Sequence, residues 1–254
     1  MGKCKIIKNL FKIHPFYYII SFIAAITGNF RGFAFFSLII IVHECGHLFV
    51  SLLFRWNVDK VIILPFGAIT LFNEDINRPL IEEFLILIFG PLFQIAFTYL
   101  YSCFHHDEVF IYYSRAILFF NLLPIYPLDG AKVVNIVLNK CLSFKMSHLI
   151  TIYLSFFVMI IIIFKVSFNL IWILTLIFIL IRQLEELRNH KNIFNKFLLE
   201  RYTKKFHFKK NKVIKSLNVN KMKRDYNHIF YNGKRYITEK ENLKKRFDFN
   251  RKTW

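Results

Sequence analysis

Ser37-Leu-Ile-Ile-Ile-Val-His43-Glu44-Cys45-Gly46-His47-Leu-Phe-Val-Ser-Leu-Leu53 is apolar at both ends and holds two imidazoles and a carboxylate at its centre. The flanks predict a helix inside a bilayer, where ionisable side chains are costly and are retained for a purpose. Residues four apart on an α-helix differ by about 40° in direction, so His43 and His47 leave one face and can reach one ion. Glu44 is offset to the side. That offset lets its carboxylate approach a metal-bound water without taking a coordination position, which suits the general base of a zinc hydrolase. Gly46 leaves room for a second helix beside the site. Two core histidines bonded to a glutamate would explain the pattern in a soluble helix, but in lipid they would desolvate three ionisable groups without compensation.

The remainder of the chain agrees with a membrane environment. Its 254 residues are 56% hydrophobic and include 32 Phe, and the mean hydropathy is +0.41, values that exclude an ordinary soluble domain. Six segments approach the roughly 20 apolar residues that cross a bilayer. They are Pro15 to Thr27, Gly32 to Phe54, Glu83 to Cys103, Val109 to Tyr126, His148 to Phe164 and Ser167 to Ile181. The expectation is an all-α, polytopic membrane protein with about six transmembrane helices. Lys3, Lys5, Lys8 and Lys12 precede the first segment without a small-residue cleavage site, which predicts a retained span rather than a signal peptide. Cys4, Cys45, Cys103 and Cys141 are isolated singletons, not a disulfide framework.

Loop charges orient the spans, because Lys and Arg accumulate on the cytoplasmic side. One side collects the N-terminal lysines, Arg55, Lys60, Arg78, Lys132, Lys140, Lys145 and the C-terminal segment, while the other has little beyond Arg31 and Lys165. Both termini are therefore expected in the cytoplasm. From Arg182 onward, 22 Lys/Arg face 7 Asp/Glu, a surplus of 15 that accounts for most of the net +19. The organisation expected is an intramembrane domain over residues 1–182 and a short basic cytoplasmic tail over 183–254, too short and polar for a large core. Arg182 to Leu199 keeps helical spacing and extends the sixth span outward. Such a tail is suited to anionic lipid headgroups or an acidic protein. Its scattered aromatics form no stacking platform and argue against direct nucleic-acid binding.

A catalytic zinc site typically takes three protein ligands, so His43 and His47 need a third. Asp129 ends the fourth segment inside Asn121-Leu-Leu-Pro124-Ile-Tyr-Pro127-Leu-Asp129-Gly130, where two prolines break the helix. An Asp-Gly pair on its own reads as a turn. Beside two histidines in lipid, Asp129 is the acidic residue best placed by depth and orientation to serve as the anionic ligand.

His43-Glu44-x-x-His47 and Asn121-x-x-Pro124-x-Tyr126-Pro127-Leu128-Asp129-Gly130 resemble the motifs of the site-2 intramembrane zinc metalloproteases, peptidase family M50. Leu64-Pro65-Phe66-Gly67, Asn77-Arg78-Pro79-Leu80-x-Glu82-Glu83-Phe84, Gly90-Pro91-Leu92 and Phe197-Leu198-Leu199-Glu200-Arg201-Tyr202 are similar to the branch found in spore-forming bacteria. The resemblance covers roughly residues 10 to 203, with the motifs in matching order. It implies a Zn2+ protease that removes the pro-sequence of a membrane-associated sporulation sigma-factor precursor, pro-sigma-K, at the mother-cell membrane surrounding the forespore. Membrane partner proteins would hold it inactive. It further implies zinc on His43, His47 and Asp129, proton transfer by Glu44, and substrate held by Asn121, Pro127, Phe66 and Gly67. Phe66 and Gly67 read equally as a simple interfacial turn. The nucleotide-binding CBS domain that relatives carry after the last span has no clear counterpart beyond Tyr202. A non-enzymatic scaffold or a metal transporter is the competing class, although the last two spans offer no relay of carboxylates or histidines for an ion.

Overall fold

The computed structural model describes residues 11–64, 67–165 and 170–249. The chain divides into two compact units: Met1–Glu74 with Glu82–Leu123 and Pro127–Gly130, and Asp75–Ile81 with Pro124–Tyr126 and Ala131–Trp254.

The first unit opens with β1 (Phe11–Ile13) and α1 (Pro15–Ile26), followed by α2 (Phe30–Leu53), which carries the His-Glu motif. A left-handed residue, Arg55 at φ 55°, ends α2. The Arg55 and Trp56 amides then donate to the Leu52 and Ser51 carbonyls at 3.0 and 2.8 Å, satisfying two groups that a helix end leaves orphaned. Trp56 folds back into one cluster with Val50 and Ile86, which completes the stop. Next come β2 (Val58–Leu64) and β3 (Gly67–Phe72), in a sheet of order β1-β2-β3. β1 runs parallel to β2 with Lys12 opposite Ile62, and β3 runs antiparallel with Thr70 opposite Val61. α3 (Leu80–Phe104), whose first two residues belong to the second unit, and α4 (Glu108–Leu122) complete this unit, apart from the first residues of α5 (Asp129–Cys141). Asp107 caps α4 by accepting from the Val109 amide at 3.2 Å. Its other oxygen meets Arg31 at 2.5 Å.

The second unit contains the rest of α5, then α6 (Phe144–Lys165) and α7 (Leu170–Thr203). Polar side chains in α6 bond back along the helix: Ser147, Thr151 and Ser155 hydroxyls donate to carbonyls four residues earlier at 2.8 to 3.0 Å. That pattern satisfies a hydroxyl without water. Beyond α7, β4 (Lys210–Ile214), β5 (Tyr226–Tyr231) and β6 (Tyr236–Thr238) form a second three-stranded sheet, followed by α8 (Glu239–Phe249). Phe194, Phe197, Leu198, Ile214, Met222, Phe230, Ile237 and Leu243 form one buried cluster in this unit.

Among the described residues, three helical stretches are long and apolar enough to cross a membrane: α2, α3 and Phe144–Phe164 of α6. The expected positions of helix agree with α1 to α4, α6 and α7 to within a few residues at most ends. Four expectations change. The molecule is mostly helical rather than all-α, because the stretch between α2 and α3 forms strands, as does the segment after α7. The fourth helix stops at Leu122, before both prolines, instead of at Tyr126. Asp129 begins the next helix instead of ending the fourth one, a position where the exposed amides of a first turn favour a carboxylate. The basic C-terminal residues build a folded element with a core, because widely spaced apolar residues such as Met222, Phe230 and Leu243 meet Phe197 on α7. Cys45, Cys103 and Cys141 are free thiols, and Cys4 lies outside the described residues.

Candidate metal centre

Within the first unit, one ligand atom each from His43, Glu44 and His47 lie within 4.8 Å of one another, and all three residues are buried. Asp129 joins them: its Oδ2 stands 3.1 Å from His43 Nε2 and 2.9 Å from His47 Nε2. Gly130 makes that approach possible, because a Cβ there would strike the Leu122 and Leu123 carbonyl oxygens. Close packing, rather than turn conformation, therefore explains the Asp-Gly pair.

The opposite edges of the two imidazoles are held by hydrogen-bond acceptors. His47 Nδ1 lies 2.7 Å from the Ile86 carbonyl, which can only accept, so that nitrogen donates. His43 Nδ1 lies 2.8 Å from Gln94 Oε1. The orientation of the Gln94 amide is set in turn, since its Nε2 donates to the Ser114 carbonyl at 2.7 Å. With Nδ1 donating on both rings, each imidazole turns its Nε2 toward the same Asp129 oxygen, and in the neutral ring that nitrogen carries the lone pair a metal would take. When both rings are neutral these three atoms are all acceptors, an arrangement that a cation between them would satisfy. A proton on one Nε2 would serve one contact, whereas a divalent ion serves both. Two imidazole nitrogens and a carboxylate oxygen are a donor set that suits zinc.

Glu44 is held separately. Thr70 on β3 donates its hydroxyl to Glu44 Oε2 at 2.6 Å. α3 lies tightly against α2: a Cβ on Gly46 would run into the Phe89 carbonyl, and one on Gly90 would enter the His47 ring. These close approaches put the Ile86 carbonyl and Gln94 within reach of the two histidines.

The structure therefore gathers His43, Glu44, His47 and Asp129. Asn121 sits in the last turn of α4, and Pro127 is half-buried two residues before Asp129. Gly67 is buried at the start of β3, part of a strand rather than a turn. Phe66 lies outside the described residues. Sequence reasoning missed Thr70, Gln94, Ser114 and Gly90. Gln94 offered a faint signal as a lone amide inside the apolar helix α3, and Thr70 as the hydroxyl between Ala68 and Phe72 in an otherwise apolar alternation.

The model of "Peptidase family M50" matches residues 32–106, which include the His-Glu motif and Gln94. The chain is also 35% identical over 206 residues to Stage IV sporulation protein FB of Bacillus subtilis (strain 168), a match spanning 75% of this chain and 70% of that protein. The chain belongs to peptidase family M50. As an M50 protease it is an integral membrane zinc metalloendopeptidase of the site-2 type. It is similar as well to zinc metalloprotease MJ0392 of Methanocaldococcus jannaschii, at 30% identity over 112 residues, 40% of this chain and 32% of that one. The solved structure of the site-2 protease from Methanocaldococcus jannaschii shares the fold, with a TM-score of 0.55 and 20% identity over 69% of this chain and 89% of that chain.

Proposed function

We propose that this M50 protease cleaves the pro-sequence of a membrane-associated sporulation sigma-factor precursor, pro-sigma-K, and that His43, His47 and Asp129 hold its zinc. The observation that carries the site assignment is the convergence of two imidazole Nε2 atoms on one carboxylate oxygen. The sporulation substrate rests on the similarity to Stage IV sporulation protein FB.

Bound zinc supplies Lewis acidity at the scissile carbonyl and lowers the pKa of its water toward about 7. Glu44 takes the proton from the attacking water and returns it to the leaving amine. Its Oε2 is occupied by Thr70, which leaves Oε1 for this traffic. A helical substrate has its backbone carbonyls paired, so the segment to be cut must be extended. Among the described residues β3 pairs only with β2, and its other edge is suited to receiving an extended segment as an added strand. Gly67 opens that strand. With Phe66, Asn121 and Pro127 it forms the substrate-holding set.

The topology we infer has six spans: α1, α2, α3, α4, α6 and the apolar start of α7. Both termini lie in the cytoplasm, with the protease domain over residues 1–182 and the basic segment over 183–254. His47 stands six residues before the end of α2, about 9 Å from that end. Water and substrate thus enter from the cytoplasmic side. The basic segment lies near anionic lipid, and membrane partner proteins restrain activity in the mother-cell membrane around the forespore.

Coexpression with a tagged pro-sigma-K tests this reading. Wild type is expected to shorten the precursor, and Glu44→Gln is expected to retain zinc and folding while abolishing the shortened product. Continued processing by Glu44→Gln would refute the assignment of the base, and an uncut precursor with the wild-type enzyme would refute the substrate.

A further inference from the structure

We propose that Thr70 is a positioning residue for Glu44, and that β3 is the ruler that sets its place along α2. The inference rests on the assignment of Glu44 as the proton carrier. Alternate residues of a strand share a face. On β3, Ala68 packs against the cluster that contains Ile39 and Ile40, and Phe72 packs against the cluster that contains Val50. Phe72 also meets Trp56 edge to face, with ring centroids 5.3 Å apart. Thr70 lies between them on the same face, and its hydroxyl reaches Glu44.

The two rises match. Two strand residues advance about 6.6 Å, and four to six helical residues advance about 6–9 Å. A strand laid along α2 with Ala68 against the cluster of Ile39 and Ile40 and Phe72 against the cluster of Val50 therefore brings position 70 level with Glu44. That position is the hydroxyl on an otherwise apolar face, and it meets the one carboxylate of α2. Packing on both sides fixes the register, so the hydrogen bond is built by the strand rather than found by a mobile side chain.

The consequence is specific to the chemistry. A carboxylate on a helix has rotamer freedom, and a donor fixed on one oxygen removes it and aims the other oxygen. The same strand offers its outer edge to substrate, so substrate docking and base orientation share one element. Thr70 acts through Glu44 without touching the ion-binding atoms, so its loss is expected to lower turnover rather than zinc binding or substrate affinity.

Purified full-length enzyme in detergent tests the proposal with Thr70→Val, which keeps shape and removes the hydroxyl, and Thr70→Ser, which keeps the hydroxyl. Thr70→Val is expected to lower kcat about 10–100-fold, the range for partners that orient a site's first-contact groups. Its KM, zinc content and thermal stability are expected to match wild type, and Thr70→Ser is expected to recover most of the turnover. Wild-type turnover in Thr70→Val would overturn the proposal. So would loss of turnover in Thr70→Ser equal to that in Thr70→Val, or a fall in zinc content or stability that tracks turnover. Glu44→Gln run in parallel separates the two ideas. If it still cleaves, the base assignment fails; if it is dead while Thr70→Val is fully active, only the role of Thr70 fails.

Discussion

Each compact unit buries a cluster of ionisable groups, and the two clusters are built on opposite principles. In the first, His43 Nε2 and His47 Nε2 converge on Asp129 Oδ2, at 3.1 and 2.9 Å. In the second, the Arg201 guanidinium distributes its protons among acceptors: Asn77 Oδ1 at 2.6 Å, the Tyr226 carbonyl and Glu239 Oε1 at 2.8 Å each, and the Lys223 carbonyl at 2.9 Å. Phe197 and Phe208 each place a ring centroid 4.8 Å from that guanidinium. Glu200 beside it accepts from the Ile76 and Asn77 amides at 3.1 and 3.2 Å and from Asn77 Nδ2 at 2.9 Å. A saturated network stabilises a particular structure, whereas two imidazole nitrogens and a carboxylate oxygen that converge on one point are a donor set for a cation. Burial of charge therefore does not identify a reactive site by itself; the convergence of metal-ligating atoms does.

The largest test of that contrast removes an acceptor from the first cluster. Asp129→Ala is expected to reduce zinc content from near stoichiometric to trace and to abolish cleavage, while the folded fraction stays close to wild type. Elemental analysis of purified protein with parallel thermal unfolding checks it. Full zinc content in this variant would show that the cluster was not waiting for a cation.

The next test removes the donor from the saturated cluster. Arg201→Ala leaves Glu239 and the Asn77 carbonyl oxygen without their cation, and breaking a buried pair in this way costs about 3–5 kcal/mol. The expected outcome is a lower denaturation midpoint with zinc content per folded molecule unchanged, read from unfolding curves and metal analysis on one preparation. Arg201→Lys keeps the charge but not the planar fork, and is expected to fall between the two.

Legibility in the sequence followed the same divide. The convergence of His43, Glu44, His47 and Asp129 was readable because ionisable groups in apolar surroundings are too costly to be incidental. Thr70 and Gln94 were not, since hydroxyls and amides are common in membrane segments and bond to nearby carbonyls at modest cost. Helix α5 was hidden behind Pro124 and Pro127, whose effect was carried forward onto Asp129, although both prolines precede its first turn. The strands β1 to β3 escaped because Val58–Leu64 lacks clean alternation of apolar and polar residues. In the C-terminal segment the charge surplus dominated the reading. Its core residues, Ile214, Met222, Phe230, Ile237 and Leu243, are too far apart to give a local period and become a cluster only once folded.

The smallest expected effect concerns His228 in the saturated cluster. Its Nε2 accepts from the Lys223 amide at 3.0 Å, and its Nδ1 lies 2.5 Å from Glu239 Oε1, an arrangement that holds a neutral ring. Burial pushes the His228 pKa below its ordinary value, and the opposing pull of Glu239 is the weaker influence. The unfolded chain then binds this proton more readily, at about pH 6.5. Stability from the neutral ring is therefore fully present above that pH and is lost as the pH falls below it. Unfolding curves at pH 7.5 and 5.5 are expected to show a loss for wild type that is reduced in His228→Gln, which keeps an acceptor and a donor but does not titrate. An equal loss in both proteins would mean that acid acts elsewhere, and that the second cluster is as indifferent to protons as its saturated hydrogen bonding allows.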